Sequence, residues 1–339
     1  MRTSGFDDAE AGAIAHHIID CELRGALYGG LSRALTIAET VRALPEPSAP
    51  LRVTKETSVS ALIDGGNSAG YLVARHATEL AIEKALQHGI GVVAAHNTWL
   101  TGMFSYYMEM ATQKNLVALV FGSSSWYVAP HGSSEARFGT NPIACGFPSD
   151  GDPVILDVGT STTPVGEVVL RKRLGQQLPG GWAFGSDGEP TCDPQQALDG
   201  VFKVWGGHKG AGLAMMVQMF GLLCSEAVRP ASHKESTFLI FVMRPDLFAP
   251  ADAFKKSISD YANSVRAARP IGGVCRCAYP SSGPPQSEGN VWRKAGSKFP
   301  TPSSSSSRPS WEKLARRESS SINRRMPINE SHESQYGVA

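Results

Sequence analysis

The apolar positions of this chain change period along its length, and the changes divide it into elements. Ile14, His17, Ile18 and Cys21 fall on one side of a 3.6-residue repeat, with Asp7 or Asp8 where an N-cap belongs; this predicts a helix over residues 9–24 ending near Gly25. Tyr28-Gly29-Gly30 breaks the pattern, a second helix is predicted over residues 33–44, and the proline-rich stretch 45–50 reads as an extended connection. Residues 59–64 predict a short strand closed by Gly65-Gly66. The clearest periodicity follows, where Val73, Ala74, Ala77, Leu80, Ala81 and Ala85 give an apolar face to a helix over residues 71–87, stopped by Gly89. A continuous apolar run predicts a buried strand at 91–95, followed by a helix at 103–114 and another buried strand at 116–121. Further strands are predicted at 154–157 and 237–243, and further helices at 210–226 and 251–268. Alternation of this kind indicates an α/β protein, and no repeat of 20–50 residues suggests a solenoid.

The pattern ends near Pro270. Beyond it the chain turns to Ser, Pro, Arg and Glu, with an unbroken serine run at 303–307, and reads as a tail. Composition narrows the function classes. With 42% hydrophobic residues and a formal net charge of +1 in 339 residues, the chain can bury a core but has no overall field to draw it to nucleic acid or an anionic membrane. Its apolar runs, such as 238–243, are far shorter than the roughly 20 residues of a membrane span. The first eight residues carry no apolar leader and turn acidic, so the expected compartment is the cytosol. Cys21, Cys145, Cys192, Cys224, Cys275 and Cys277 include no C-x-x-C pair and are expected as free thiols. The nine histidines form no H-x-x-x-H with acidic support, so no metal site is expected.

An α/β chain of this size invites a search for dinucleotide signatures. Gly89-Ile90-Gly91-Val92-Val93-Ala94 fits G-x-G-x-x-A by letters but follows a helix and opens a strand, the reverse of the order that brings a pyrophosphate to a helix N-terminus. It is therefore set aside. Gly206-Gly207-His208-Lys209-Gly210-Ala211-Gly212 lacks P-loop spacing, yet offers a flexible backbone, a cation and a following helix. Those are the parts of an anion site, and equally of a plain helix entry. The loops around Ser124, His131, Thr140 and Val158-Gly159 could bind ribose or phosphate at strand ends, or be ordinary turns.

Taken in order, several segments resemble the malate/L-lactate dehydrogenase family, which is distinct from the Rossmann-type lactate and malate dehydrogenases. They are Cys21-Glu22-Leu23-Arg24-Gly25, Ile63-Asp64-Gly65-Gly66-Asn67, residues 79–85, Ala129-Pro130-His131-Gly132, Gly139-Thr140-Asn141-Pro142, Leu156-Asp157, residues 178–183 with Asp193-Pro194 and Leu198-Asp199-Gly200, and residues 206–213. The family includes sulfolactate dehydrogenases and ureidoglycolate, piperideine-2-carboxylate and diketogulonate reductase-like members. The resemblance implies an α/β fold with a mixed, largely antiparallel sheet, a homodimer, and NAD- or NADP-dependent oxidoreduction of a small 2-hydroxy, 2-oxo or imino acid. It places Ser124, Asp157, Val158, Gly159, His208 and Lys209 on dinucleotide-contacting positions and Arg33 on an arginine that grips the substrate carboxylate. It also implies an N-terminal helical segment at 1–50, an oxidoreductase core at 51–272 and a separate tail at 273–339.

The departures concern the proton. The family's Ser-His-Gly aligns with Tyr28-Gly29-Gly30, and a second family histidine aligns with Leu100. Neither glycine nor leucine moves a proton, which hydride exchange at a C–OH or C=O carbon requires. Tyr28 and His96 are the nearest titratable substitutes in sequence, with a bound water as the other source, and a catalytically silent binding or scaffold protein is the alternative reading. The tail lacks the family's basic helical end with its Ile-Pro. Codons for Ser297-Lys298-Phe299-Pro300, read one frame away, can spell Phe-Lys-Ile-Pro, so a frame-shifted or intron-derived end is the expectation for residues 273–339.

Overall fold

The computed structural model describes residues 1–44, 47–225 and 236–269, all within one compact unit. The expectations for Cys275, Cys277 and the tail lie outside the described residues. Helix α1 (Asp8–Leu23) begins as the capping pattern predicts. The Asp7 carboxylate accepts from the Glu10 N–H at 2.8 Å and the Glu10 side chain accepts from the Asp7 N–H at 3.1 Å, so two otherwise orphaned donors are satisfied reciprocally. Helix α2 (Leu31–Ala43) starts two residues before the predicted position. Its cap comes from outside the segment: Glu22 on α1 accepts from the Leu31 N–H at 2.9 Å. The two helices close over Ile14, Ile18, Ile37, Tyr71 and Trp99.

Eleven strands occur among the described residues. In chain order they are β1 (Arg52–Glu56), β2 (Ser60–Ala69), β3 (Ile90–Trp99), β4 (Val117–Phe121), β5 (Val128–Ala129) and β6 (Ile143–Phe147), then β7 (Val154–Val158), β8 (Ala183–Phe184), β9 (Pro190–Thr191), β10 (Val201–Lys203) and β11 (Ser236–Met243). Seven form one sheet in the order β1-β2-β3-β11-β4-β6-β7, with β2 and β3 parallel and every other neighbouring pair antiparallel. This is the mixed, largely antiparallel sheet that the resemblance implies. Helices α3 (Gly70–His88) and α4 (Phe104–Thr112) cover one face, where Val73, Ala77, Ala81, Tyr107 and Met108 meet Ile63, Val93, Val120 and Ile240. Helix α7 (His208–Gly221) packs Val217 against Phe121 and Leu239 on the other. The remaining strands form a small sheet, β5-β10-β8-β9, with its own core of Val128, Phe138, Val168 and Phe202. Helices α5 (Val165–Arg173) and α6 (Pro194–Asp199) belong to this part, and α8 (Ala251–Arg266) is the last described element.

Three sequence expectations need correction. The strand at 59–64 does not stop at Gly65-Gly66: Gly66 and Asn67 take positive φ (59° and 60°), the register slips, and pairing resumes with Ser68 opposite Thr98. The helix predicted at 210–226 runs over 208–221 instead, because the glycine-rich turn ends at Gly207 (φ 62°) and His208-Lys209 already form its first turn. Strands β1, β5, β6, β8, β9 and β10 and helices α5 and α6 were not predicted. The segment Gly89-Ile90-Gly91 joins α3 to β3 as read; Gly89 is the left-handed cap of α3, and a Cβ on Gly91 would overlap the Ala81 carbonyl.

Candidate active site

The strand register gathers the loops at one end of the large sheet. Phe121, Ile143 and Val158 lie opposite one another across β4, β6 and β7, so the loop after β4, the Gly139-Thr140-Asn141-Pro142 approach to β6 and the residues after Asp157 emerge together. The Thr160 N–H donates to the Thr140 carbonyl at 3.0 Å, and the Thr237 N–H donates to the Ser123 carbonyl at 2.9 Å, tying these loops and β11 to one another.

Helix α4 starts at the same end, and two side chains from elsewhere hold its exposed N–H groups. The Asp157 carboxylate accepts from the Ser105 N–H at 2.7 Å, and His17 Nε2 accepts from the Met103 N–H at 2.9 Å. The helix has no capping side chain of its own at Met103. A carboxylate at a helix N-terminus is favoured by the helix dipole. Burial nevertheless raises the Asp157 carboxyl to about 6, with the Ser105 and Phe104 N–H groups and Arg24 opposing that rise. His17, packed edge-on against Tyr71 and tilted against Tyr106 and Tyr107, is held down to about 3 by burial, then by the charges of Arg24 and His16. It is neutral, and its accepting Nε2 places the proton on Nδ1.

Tyr28, in the 3-10 turn Leu27–Gly29, feels the charges of both Asp157 and Arg33, the latter on α2. The Tyr28 hydroxyl is raised by burial and then by the negative charge of Asp157. The Arg33 guanidinium packs on Gly166 in the first turn of α5, where a Cβ would overlap its Nη2 and stand 3.0 Å from the Tyr28 carbonyl oxygen. Among the described residues Arg33 has no side-chain hydrogen bond or ion pair, whereas nearby Arg171 and Arg173 bind Glu167 and Glu39. The first turn of α5 also lacks a capping side chain. An unpaired guanidinium beside uncapped helix N–H groups is a site for an anion, and its planar fork matches a carboxylate.

A second group of residues lies where the small sheet meets α7. Strands β5 and β10 run parallel, with Ala129 opposite Lys203, so both chains leave the sheet on one side. They continue into Pro130-His131-Gly132 and into Trp205-Gly206-Gly207-His208-Lys209. The His131 and His208 rings stand 6.4 Å apart between centroids, and His131 is 3.6 Å from where a Gly207 Cβ would be. Gly207 caps α7 without a side chain, and exposed Lys209 has no ion pair among the described residues. Gly210 is fixed by packing, since a Cβ would overlap the Trp205 carbonyl. Helix α7 then passes the first group of loops: Asn141 Nδ2 donates to the Ala214 carbonyl at 2.8 Å, and Ser124 lies beside Gly139 and Asn141.

The structure thus brings Tyr28, Arg33 and Asp157 together, places Val158, Gly159 and Ser124 at the same sheet end, and joins His208 and Lys209 to it through α7. His96 lies on β3, the strand beside β11, toward the end where Thr98 stands opposite Ser236. It stands opposite Asp64 in the β2–β3 register, in a network where Asp64 accepts from the Gly66 N–H at 3.0 Å and from Asn97 Nδ2 at 2.7 Å and pairs with Arg52. Those partners hold the Asp64 carboxyl down to about 2. Sequence reasoning missed His17, Gly166 and Asn141 as residues that shape the site, since each acts through a partner distant in the chain, and Glu22, which caps α2 from nine residues away. Among the described residues there is no group of three or more His, Cys, Asp or Glu side chains able to hold a metal ion, and no helix long and apolar enough to cross a membrane.

A seven-stranded mixed sheet with helices on both faces and its polar loops at one end defines an α/β protein outside the Rossmann class. Residues 1–289 match the family model for malate/L-lactate dehydrogenase, and the chain belongs to that family. It is 33% identical over 281 residues to the malate dehydrogenase of Pyrococcus abyssi, covering 78% of each chain. It is 32% identical over 220 residues to the Delta(1)-pyrroline-2-carboxylate reductase 1 of Burkholderia ambifaria, covering 64% of this chain and 65% of the relative. The solved sulfolactate dehydrogenase of Methanocaldococcus jannaschii superposes with a TM-score of 0.68 at 28% identity, covering 80% of this chain and 82% of that one. The relatives are dehydrogenases and reductases, which supports an enzyme of the oxidoreductase class.

Proposed function

We propose that the protein is a NAD- or NADP-dependent oxidoreductase acting on a small 2-oxo, 2-hydroxy or imino acid. The observation that carries this reading is the Arg33 guanidinium, half-buried, without an ionic partner among the described residues, and set against the uncapped first turn of α5. Such a group takes a carboxylate, and the neighbouring Asp157 and Tyr28 supply the titratable side chains that a 2-oxo acid needs beside its reacting carbon. The residues present also fit a dinucleotide: the uncapped start of α7 with Lys209 suits a pyrophosphate, and Ser124, Val158 and Gly159 line the sheet end next to it. Bound there, a nicotinamide dinucleotide would supply hydride chemistry at C2 of the acid. Arg33 orients the acid by its carboxylate, and Tyr28, His96 or a water held by Asp157 carries the proton. A homodimer and a cytosolic location complete the proposal, the latter supported by free thiols at Cys21, Cys145, Cys192 and Cys224.

The test is titration with NADH and NADPH followed by a turnover screen with pyruvate, oxaloacetate and cyclic imino acids. Lys209→Ala is expected to weaken dinucleotide affinity by about 10- to 100-fold, the scale of one charge-assisted hydrogen bond. Unchanged affinity removes Lys209 from the site. A second reading, a silent relative that binds the dinucleotide without turnover, is favoured by the absence of an imidazole at Gly29, where among the described residues only Cys21 Sγ and Cβ lie within 4 Å of a Cβ position. Turnover of any of the acids rejects it.

A further inference from the structure

Two arginines meet at the corner between α2 and α5, and only one of them is neutralised there. Arg173, the last residue of α5, lays its guanidinium along α2. Nη1 donates to the Ser32 carbonyl at 2.9 Å and to the Thr36 hydroxyl at 3.2 Å, and Nη2 pairs with the Glu39 carboxylate at 2.5 Å. Ser32, Thr36 and Glu39 follow one another at four- and three-residue spacing, so they share one face of α2, and a single planar fork spans two turns of it. Among the described residues no other side chain hydrogen-bonds from α5 to α2; Arg171 turns back to Glu167 and to the Gln177 carbonyl.

Arg33 is the neighbour of Ser32, and its guanidinium packs on Gly166 at the other end of α5. Gly166 and Arg173 are seven residues apart, about 10 Å along the helix axis. The two helices are therefore fixed to each other at two points. At one, the Arg33 guanidinium rests on the α5 backbone; at the other, Arg173 grips the α2 turns that carry Arg33. An exposed ion pair such as that with Glu39 is worth little alone, but the carbonyl and hydroxyl contacts of the same fork fix where α2 lies along α5. With Arg173 paired to Glu39, a carboxylate entering this corner finds Arg33 as the guanidinium without a counter-ion among the described residues.

A group that grips a substrate works only at its proper place, and a shift of about 1 Å made far from the chemistry can cost about 100-fold. We infer that Arg173 is a positioning residue: by clasping α2 to α5 it sets the place at which Arg33 meets the carboxylate of the acid. The inference rests on the reading of Arg33 above and assigns a residue that acts on the acid through α2.

The test is calorimetric titration of oxalate into the full chain as wild type, Arg173→Ala, Arg173→Lys and Arg33→Ala, below the melting range of each, with the melts recorded. Arg173→Ala is expected to bind oxalate at least about fivefold more weakly. Arg173→Lys keeps the charge without the planar fork, and is expected to stay at least about threefold weaker than wild type. A contact that only stabilises the fold would lower the melt and leave the oxalate affinity of the folded protein unchanged; that result overturns the inference. Wild-type affinity in Arg173→Lys also overturns it, since charge alone would then suffice. If the wild type binds no oxalate, or Arg33→Ala binds it as tightly, the reading of Arg33 itself fails and this inference with it.

Discussion

His17 and Asp157 hold one helix end with opposite responses to acid. The His17 imidazole falls from 6.5 to about 3 in the fold. Its contribution is thus present above about pH 6.5 and is lost as the pH falls, since an unfolded chain takes up the proton more readily. A protonated Nε2 can no longer accept from the Met103 N–H, so the contact is lost with the charge. The Asp157 carboxyl moves the other way, from 3.8 to about 6. The folded protein binds that proton more readily, so this contribution is present in acid and is lost as the pH rises through about 6. Between about pH 4 and pH 6 the two oppose each other, and the larger displacement is that of His17. Asp157→Asn keeps an oxygen for the Ser105 N–H without titrating; melts between about pH 4.5 and pH 7.5 should show a steeper loss of stability on acidification than in the wild type. His17→Gln should flatten or reverse it. A slope identical to wild type in both variants would dissociate these groups from the acid response. Neither role was legible in the sequence. His17 reads there as one apolar-face position of a helix, and Asp157 as a strand-end residue, because the helix start that joins them lies 86 and 52 residues away along the chain.

The elements show where local pattern suffices and where it fails. Helices α3 and α4 and strands β3, β4 and β11 each carry a long apolar face, and their existence follows from periodicity alone. Strand β1 has all five residues exposed, so no alternation marks it, and β5, β8 and β9 are two residues long, held by the chain they pair with. Helix α5 did leave a signal: Pro164 before it, Glu167 in its first turn and Arg171-Lys172-Arg173 in its last. The start of α7 was legible as an anion-binding composition but misplaced by two residues, because His208 and Lys209 were read with the glycine turn that ends at Gly207; of the glycines inside the helix, Gly210 is held by packing and Gly212 is not. That distinction can be measured on one helix. Gly212 has nothing within 4 Å of its Cβ position, so Gly212→Ala should raise stability by about 0.5–1 kcal/mol. Gly210→Ala would drive a methyl into the Trp205 carbonyl, and should destabilise the protein and displace Lys209 from the turn. Chemical denaturation of the two variants separates the cases, and a stabilising Gly210→Ala would contradict the packing.

For the molecule as a whole, the surface of the N-terminal helices bears on the proposed homodimer. Ile19 and Leu23 share one face of α1 at 44% and 61% exposure, Leu27 follows at 52% in the turn, and Leu31 and Leu35 share one face of α2 at 60% and 57%. Single exposed leucines need no explanation, but five within seventeen residues, at four-residue spacing, give two adjacent helices an apolar outer side. These helices also carry the site: α1 supplies His17 and the Glu22 cap, and α2 supplies Arg33. Pairing through this side would brace the helix that presents the guanidinium and link assembly to substrate affinity. Sedimentation of the wild type should give a dimer, and Leu23→Asp with Leu31→Asp should shift it to monomer while retaining the melt of a folded chain. If this surface is the interface, the monomer should bind a small dicarboxylate such as oxalate more weakly than the dimer, because Arg33 loses the bracing on its far side. A wild type that sediments as a monomer, or a doubly substituted protein that remains a dimer, would place these leucines outside any subunit contact.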